Sequence, residues 1–538
     1  MRLNYKAILV LGLLLSSFYL NAQTWQEYYS QGRTAIKKED YKNAVTVLLK
    51  ARIMVAEQMD NKNETYRTIV SNLAKAYFLR GDYGDATVNY RDLERAFKED
   101  RATSKKEYAD MLEALANSYE ADKKIPKAAS YYQQALTARE KIQGAGHKDY
   151  YETMIQFANL CMKVKKYDVA GNLYAKLYDY GKTGYKGEPE KYRQIIKSYA
   201  DLHFFTHKYE KATKLYEEYK KKAITDKADK IEYLFSVKYT AQSHKGLGNK
   251  EKMIAGYKDF LNLYKEVEKD NNEEYLKEIA EIVDILKEEN AYLAAIEILK
   301  IKSNLLTNNS IDKVNTINEI GRIYSKAEKY DEAEKSFSES LAMLKNMGKE
   351  KDPAYPASLD ELGRLKFALN KTDEAEKIFK EAQQLRKTHL TEKHPDYATG
   401  LDSLAAFYIL LEKYSEADTL LTKAIAIKGE NLGKEHAEYG NSLALLGKLK
   451  AQLKAYDEAE KLLQESAGVA AKYYGRMSFE YAINTKSIAD LYKLQVKYKE
   501  AIIYYRQSLG IFEGIGKGKS PYTTSIYSSI KEASEAQE

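Results

Sequence analysis

The chain has 538 residues, 31% of them charged, and a formal net charge of +7 with no cluster of lysine and arginine. That argues against a nucleic-acid-binding protein. Six prolines among abundant helix formers argue for an all-α chain. The single cysteine, Cys161, excludes an internal disulfide and is expected to serve as buried packing.

Arg2 and Lys6 precede an apolar run, Ala7–Leu20, which is followed by Asn21-Ala22-Gln23. A basic start, a short apolar core and a small residue before a polar chain read as a secretory signal peptide over 1–22, cut after Ala22. Fourteen apolar-rich residues are short for a membrane span, so none is expected after removal of the signal. No cysteine stands near the cut to carry a lipid. This reading places the mature chain in the periplasm or outside a Gram-negative bacterium.

Everything after the leader repeats. Ala44, Ala86, Ala128, Ala170 and Ala212 stand 42 residues apart, as do Ala333, Ala375, Ala417, Ala459 and Ala501. Met253 and Ala295 join the two runs with steps of 41, 42 and 38. A fixed period of this size means a solenoid, here of about twelve units. Four residues after each anchor comes a large side chain, from Leu48 and Tyr90 to Leu463 and Tyr505. Twelve before it comes a small one, from Gly32 and Ala74 to Gly447 and Ala489, with Val283 as the exception. Offsets of four share a helical face, and small residues let helices approach, so a large residue of a neighbour is expected to fill the space. One unit is thus helix A, a tight turn, helix B and a connector. In the clearest copy the helices are expected near 397–411 and 415–428, with a connector over 429–436.

The organisation follows in order. Residues 23–220 form a regular block, opened by Trp25, Tyr28 and Tyr29 over its free end, with a flexible loop expected at Gly181–Gly187. Residues 221–312 are irregular, through the Met253 anchor, Val283 and the short step, which fits a hinge or drift equally. The regular stride resumes over 313–519. Residues 520–538 form a capping helix and polar tail, with Ser520-Pro521 at the start of an unfinished thirteenth unit.

The small residue, the alanine anchor, the large residue and a tyrosine nine before the anchor (Tyr77, Tyr119, Tyr324, Tyr408, Tyr492) resemble the tetratricopeptide repeat. A connector residue 23 before the anchor, as in His147, His394-Pro395, His436 and Asp352-Pro353, resembles the 42-residue form found in kinesin light chains and related bacterial proteins. The resemblance covers roughly 24–530. It implies a right-handed α–α superhelix whose A helices line a concave groove for a peptide or extended segment.

No converging constellation of catalytic groups is found, and an enzyme is not expected. His203 and His207 have the four-residue spacing of helical metal ligands but no third partner. Gly514–Lys519 resembles a phosphate loop yet follows a helix, so it reads as the last connector. No metal or cofactor is expected. If helix A lines a groove, the slot eleven before each anchor faces it, and that slot varies in charge. The groove candidates are Asn117, Asn159, Asp201, Arg322, Arg364 and Lys448. The two asparagines can hold successive backbone amides of an extended peptide, and the two arginines a carboxylate. The expected function is a non-enzymatic scaffold or adaptor for protein or peptide partners in the cell envelope. The alternative is a sensor or regulatory arm of a protease-like or signalling system whose catalytic domain lies on another chain or was lost. The pattern names neither the partner nor the oligomeric state.

Overall fold

The computed structural model describes residues 24–59, 63–268, 272–518 and 520–537; the expected signal peptide lies outside them. Among the described residues there are 25 helices and no strand, an all-α repeat superhelix. The chain divides into two units, Met1–Asn249 and Lys250–Glu538. The first unit carries five A/B pairs, from Trp25–Lys37 with Tyr41–Gln58 to Pro189–Phe205 with Tyr209–Thr225, and then helix Lys230–Gly246. The second opens on helix Lys250–Val267 and carries six pairs, from Asn272–Glu288 with Tyr292–Leu305 to Phe479–Leu494 with Tyr498–Gly514. It closes on Pro521–Glu535.

All twelve anchors have no exposed surface, and the large residues four positions on are at most 5% exposed. The small and large residues meet inside one repeat, not between neighbours as expected. A methyl group on Gly32 would lie 2.5 Å from Leu48 Cγ, and one on Gly321 would lie 2.5 Å from Phe337 Cε1. The same contact joins Gly363 to Phe379 and Gly447 to Leu463.

Each A helix ends in the same backbone device. The residue five before the anchor has positive φ in all twelve repeats, between 52° at Asn290 and 92° at Gly81. The next residue then donates its N–H to the carbonyl five positions back, as Lys413 does to Tyr408 at 2.9 Å. This left-handed cap satisfies carbonyls that the helix end would orphan and turns the chain back. Only Gly81 and Gly248 are glycines there.

The connector residue 23 before the anchor caps the next A helix. His147, His394 and His436 each accept on Nδ1 the N–H two residues ahead, at 3.2, 3.1 and 3.3 Å. Ser310 and Ser478 do the same with a hydroxyl for the N–H three ahead. One structural role thus accounts for all three connector histidines.

Neighbouring repeats are joined by polar bonds at fixed slots. The residue nine before one anchor donates to the acid just after the preceding anchor: Lys366 to Glu334 at 2.8 Å, Tyr408 to Glu376 at 3.3 Å, and Tyr492 to Glu460 at 2.7 Å. Lys450 reaches Asp418 at 3.2 Å by the same rule.

Some local expectations change. In the clearest copy the helices are Pro395–Leu410 and Tyr414–Asn431, so Gly429 lies within helix B, 3.2 Å below the Tyr439 ring for an added methyl. Gly181–Gly184 is helical, not a loop. Gly181 leaves room for the Tyr192 ring, and the buried Tyr185 donates to Glu152 at 3.3 Å. The short step from Ala295 to Ala333 arises because helix Tyr292–Leu305 has only 14 residues where other B helices have 17–19. That is one helical turn fewer. The closing helix buries Thr523, Ile526 and Ala533 and exposes Tyr522 and Tyr527.

Val496 holds the left-handed turn position at φ 63° and is 68% exposed. A β-branched residue is strained there, by about 1–2 kcal/mol, and gains nothing from packing. Val496→Asn is expected to raise the melting temperature of the array, with slower hydrogen exchange at Lys497. An unchanged or lower melting temperature would show the turn to be unstrained.

Candidate recognition surface

None of the residues eleven before an anchor is buried, so within each unit the slot forms a solvent-facing row along its A helices. What each member does depends on the large residue of its own repeat. In four of the six repeats where that residue is tyrosine, its hydroxyl reaches back 15 residues to the row. Tyr174 donates to Asn159 Oδ1, Tyr216 to Asp201 Oδ1 and Tyr505 to Asp490 Oδ1, each at 2.7 Å. Tyr132 donates to Asn117 Oδ1 in the same way. The tyrosine rings are buried, and desolvation pushes the Tyr174 hydroxyl up to about 12, so it remains a donor at neutral pH. Asp201 also accepts from Lys197 at 2.8 Å. The oxygens of Asn117, Asn159 and Asp201 are therefore engaged inside the protein.

Four successive repeats of the second unit differ, because Phe337, Phe379, Leu421 and Leu463 have no hydroxyl to satisfy. Arg322 and Arg364 are about half exposed, at 48% and 52%, and both guanidinium groups meet one carboxylate, Glu361 Oε1, at 3.2 and 3.0 Å. Arg364 also donates to Ser403 Oγ at 3.3 Å. These residues sit on three successive A helices, 311–326, 354–368 and 395–410. The two arginines, expected to hold a carboxylate of a partner, both meet a carboxylate of the protein's own, with one net positive charge left over. Lys448 is exposed to water yet crowded by protein. Desolvation pulls its ammonium below the ordinary lysine value, against the opposing attraction of Asp490 and with Lys486 adding to the fall.

A second set of charges, which sequence reasoning missed, lies beneath the row. Arg139, Arg386 and Lys428 all lie eleven after an anchor and are at most 4% exposed. Arg386 donates to Asp360 Oδ2 at 2.7 Å, Lys428 to Asp402 Oδ2 at 2.7 Å, and Arg139 to Glu113 Oε2 at 2.6 Å. Each acid lies 26 residues before its cation. In two cases the next A helix adds a hydroxyl: Thr153 accepts from Arg139 Nε at 2.7 Å, and Ser442 donates to Asp402 at 2.6 Å. The signal is the shared 42-residue stride of Asp360 with Asp402 and of Arg386 with Lys428.

The two histidines with metal-ligand spacing serve separate purposes. His203 is buried against the Tyr199 ring, while His207 is exposed in the left-handed turn with Nδ1 2.7 Å from Tyr209 Oη. Cys161 is 2% exposed, and burial pushes its thiol up to about 11.

The family model of the tetratricopeptide repeat matches residues 311–388, 396–472 and 446–514. Solved structures similar to the chain include the nearly identical TPR-like repeats assigned to a kinesin light chain of Podosopora anserina. They are 21% identical over 38% of this chain and 97% of that one, with a TM-score of 0.32. A second structure of those repeats is 22% identical over 37% and 94%, with a TM-score of 0.31. BtubC (BKLC) from P. vanneervenii is 17% identical over 44% of this chain and 91% of its own, with a TM-score of 0.33. No curated protein matches the chain.

If the Tyr174–Asn159 bond contributes, Asn159→Ala is expected to cost about 1 kcal/mol in the intact chain but much less in a Tyr174→Phe background. Urea midpoints of the four chains test this, and equal costs in both backgrounds would remove the bond from the account. His203 supplies a pH dependence. Burial first, then Lys211 and Lys208, lower its value from the ordinary 6.5 to about 4. Between those values the unfolded chain binds the extra proton, so stability is present at neutral pH and declines as pH falls from about 6.5 towards 4. The full effect is on the order of 2–3 kcal/mol. His203→Leu is expected to flatten the dependence of the urea midpoint between pH 7 and 5; an unchanged slope would exclude His203 as its source.

Proposed function

We propose, from the premise that this chain carries tetratricopeptide repeats, that it is a non-enzymatic scaffold holding protein or peptide partners on the face formed by its A helices. The observation that carries the reading is the Arg322–Glu361–Arg364 cluster. Two exposed guanidinium groups from successive repeats are fixed at one carboxylate, and each keeps further N–H donors towards solvent. Their helices are capped at both ends, so little ordering accompanies binding and many modest contacts can sum to useful affinity. Lys448 extends the row within the second unit, and the amide groups of Asn117 and Asn159 belong to the corresponding row of the first unit.

The cell envelope is the proposed location, supported by the signal-like pattern of Arg2, Lys6 and Ala7–Leu20 before Ala22. Among the described residues no helix is long and apolar enough to cross a membrane.

One experiment tests both statements. Expressed with its own leader, the chain is expected in the envelope fraction with Gln23 as its first residue. Used there as bait, it is expected to retain partners that an Arg322→Ala/Arg364→Ala variant holds about ten-fold more weakly. Melting of the variant should barely change, because both side chains are exposed. A cytosolic chain starting at Met1 overturns the location, and equal affinity of the two baits overturns the arginine cluster as a contact.

A further inference from the structure

Helix packing in the second unit runs between neighbouring helices and next-but-one neighbours. One polar contact breaks that rule. Lys517 Nζ, in the connector after the last A/B pair, meets Glu288 Oε1 at 2.5 Å, although 229 residues separate them. The turn of the superhelix has carried the end of this unit back to its first A helix.

Both partners are placed for the contact. The Lys517 backbone N–H is fixed on the Phe512 carbonyl at 2.7 Å, and its ammonium lies 5.4 Å from the centre of the Phe479 ring. Glu288 is the last residue of helix Asn272–Glu288, where the negative end of the helix dipole disfavours a carboxylate and favours a cation beside it. The neighbouring Lys287 is already bound to Asp284 at 2.6 Å and to Glu319 at 3.0 Å. Around the contact lies a cleft of about 610 Å³, with Tyr292, Arg322 and Ile323 on one wall and Phe479, Pro521 and Tyr522 on the other.

We propose that Lys517 and Glu288 form a latch between a closed and an open state of the second unit. The ion pair is partly exposed, with side chains 33% and 24% accessible, and it bridges a cleft instead of a packed seam. A pair of this kind biases an equilibrium by no more than about five-fold, so the two states interconvert readily and salt shifts them. Closing brings the two walls of the cleft together across the inner face of the unit; opening separates them by a small relative shift at each repeat. The latch stands apart from the reading of the groove, because it is measured with no partner present.

The test places nitroxide labels in the full chain through Ala280→Cys and Ser525→Cys, with Cys161 replaced by alanine, and measures their separation by electron–electron dipolar spectroscopy. At low salt a narrow short-distance population is expected. Raising salt to about 1 M, or introducing Lys517→Glu, should shift weight towards longer distances by several-fold, and Lys517→Glu with Glu288→Lys should restore the short population. Distributions that superimpose at all salt concentrations overturn the latch without any charge variant. So does a low-salt distribution that is broad and long in the unaltered chain.

Discussion

The array depends on a small residue where helix A meets the large side chain of helix B: alanine or glycine fills that slot in eleven of twelve repeats, and Gly32 against Leu48 and Gly321 against Phe337 leave no room even for a methyl group. Contact this close sets the spacing of helix A and helix B in a repeat, and the buried anchor four residues before the large side chain fixes its depth. With spacing and depth fixed, the chain must reverse in three residues. The left-handed cap five before each anchor performs that reversal and satisfies the helix end at the same time. Twelve repeats can then differ almost everywhere else and still stack.

The stacking itself is held in register by charge. Buried pairs such as Arg386 with Asp360 contribute little net stability against an apolar replacement. Their effect is on alternatives: a slip of one helix past another would leave a guanidinium or carboxylate buried alone, at a cost of about 3–5 kcal/mol. The bonds from Tyr408 to Glu376 and from Tyr492 to Glu460 act between repeats in the same sense. The candidate groups Arg322 and Arg364 therefore project from helices whose positions are over-determined, so their separation is a property of the scaffold.

Anchors, large residues and small residues were legible in the sequence because each is a packing slot, and packing slots tolerate few residue types. The turns were less so, since ten of the twelve left-handed positions are not glycine; lysine, glutamate and even Val496 occupy them. Gly181 looked like a loop residue because glycine marks both flexibility and close approach, and only the Tyr192 ring decides between the two. The buried ion pairs were hard to read because their members lie 26 residues apart, far outside any helical spacing, and only the shared stride of acid and cation marks them. In the candidate row, the one-repeat spacing of Arg322 and Arg364 was readable from the stride, whereas their shared Glu361 and the commitment of the Asn117 and Asn159 oxygens to tyrosine hydroxyls were not.

The reach of those hydroxyls has an evolutionary side. In the repeats where a core tyrosine bonds the outer slot, as Tyr174 does Asn159, a change at that slot is felt in the core, because it removes the acceptor of a buried O–H group. In a repeat built on leucine or phenylalanine it is not. Interior hydrocarbon thus releases the surface above it from structural duty. The repeats from Phe337 to Leu463 are the ones in which arginine, alanine and lysine can replace one another without penalty below. New binding preferences would be acquired there first, by drift in residues that the fold does not inspect, while the tyrosine repeats of the first unit keep a conservative face.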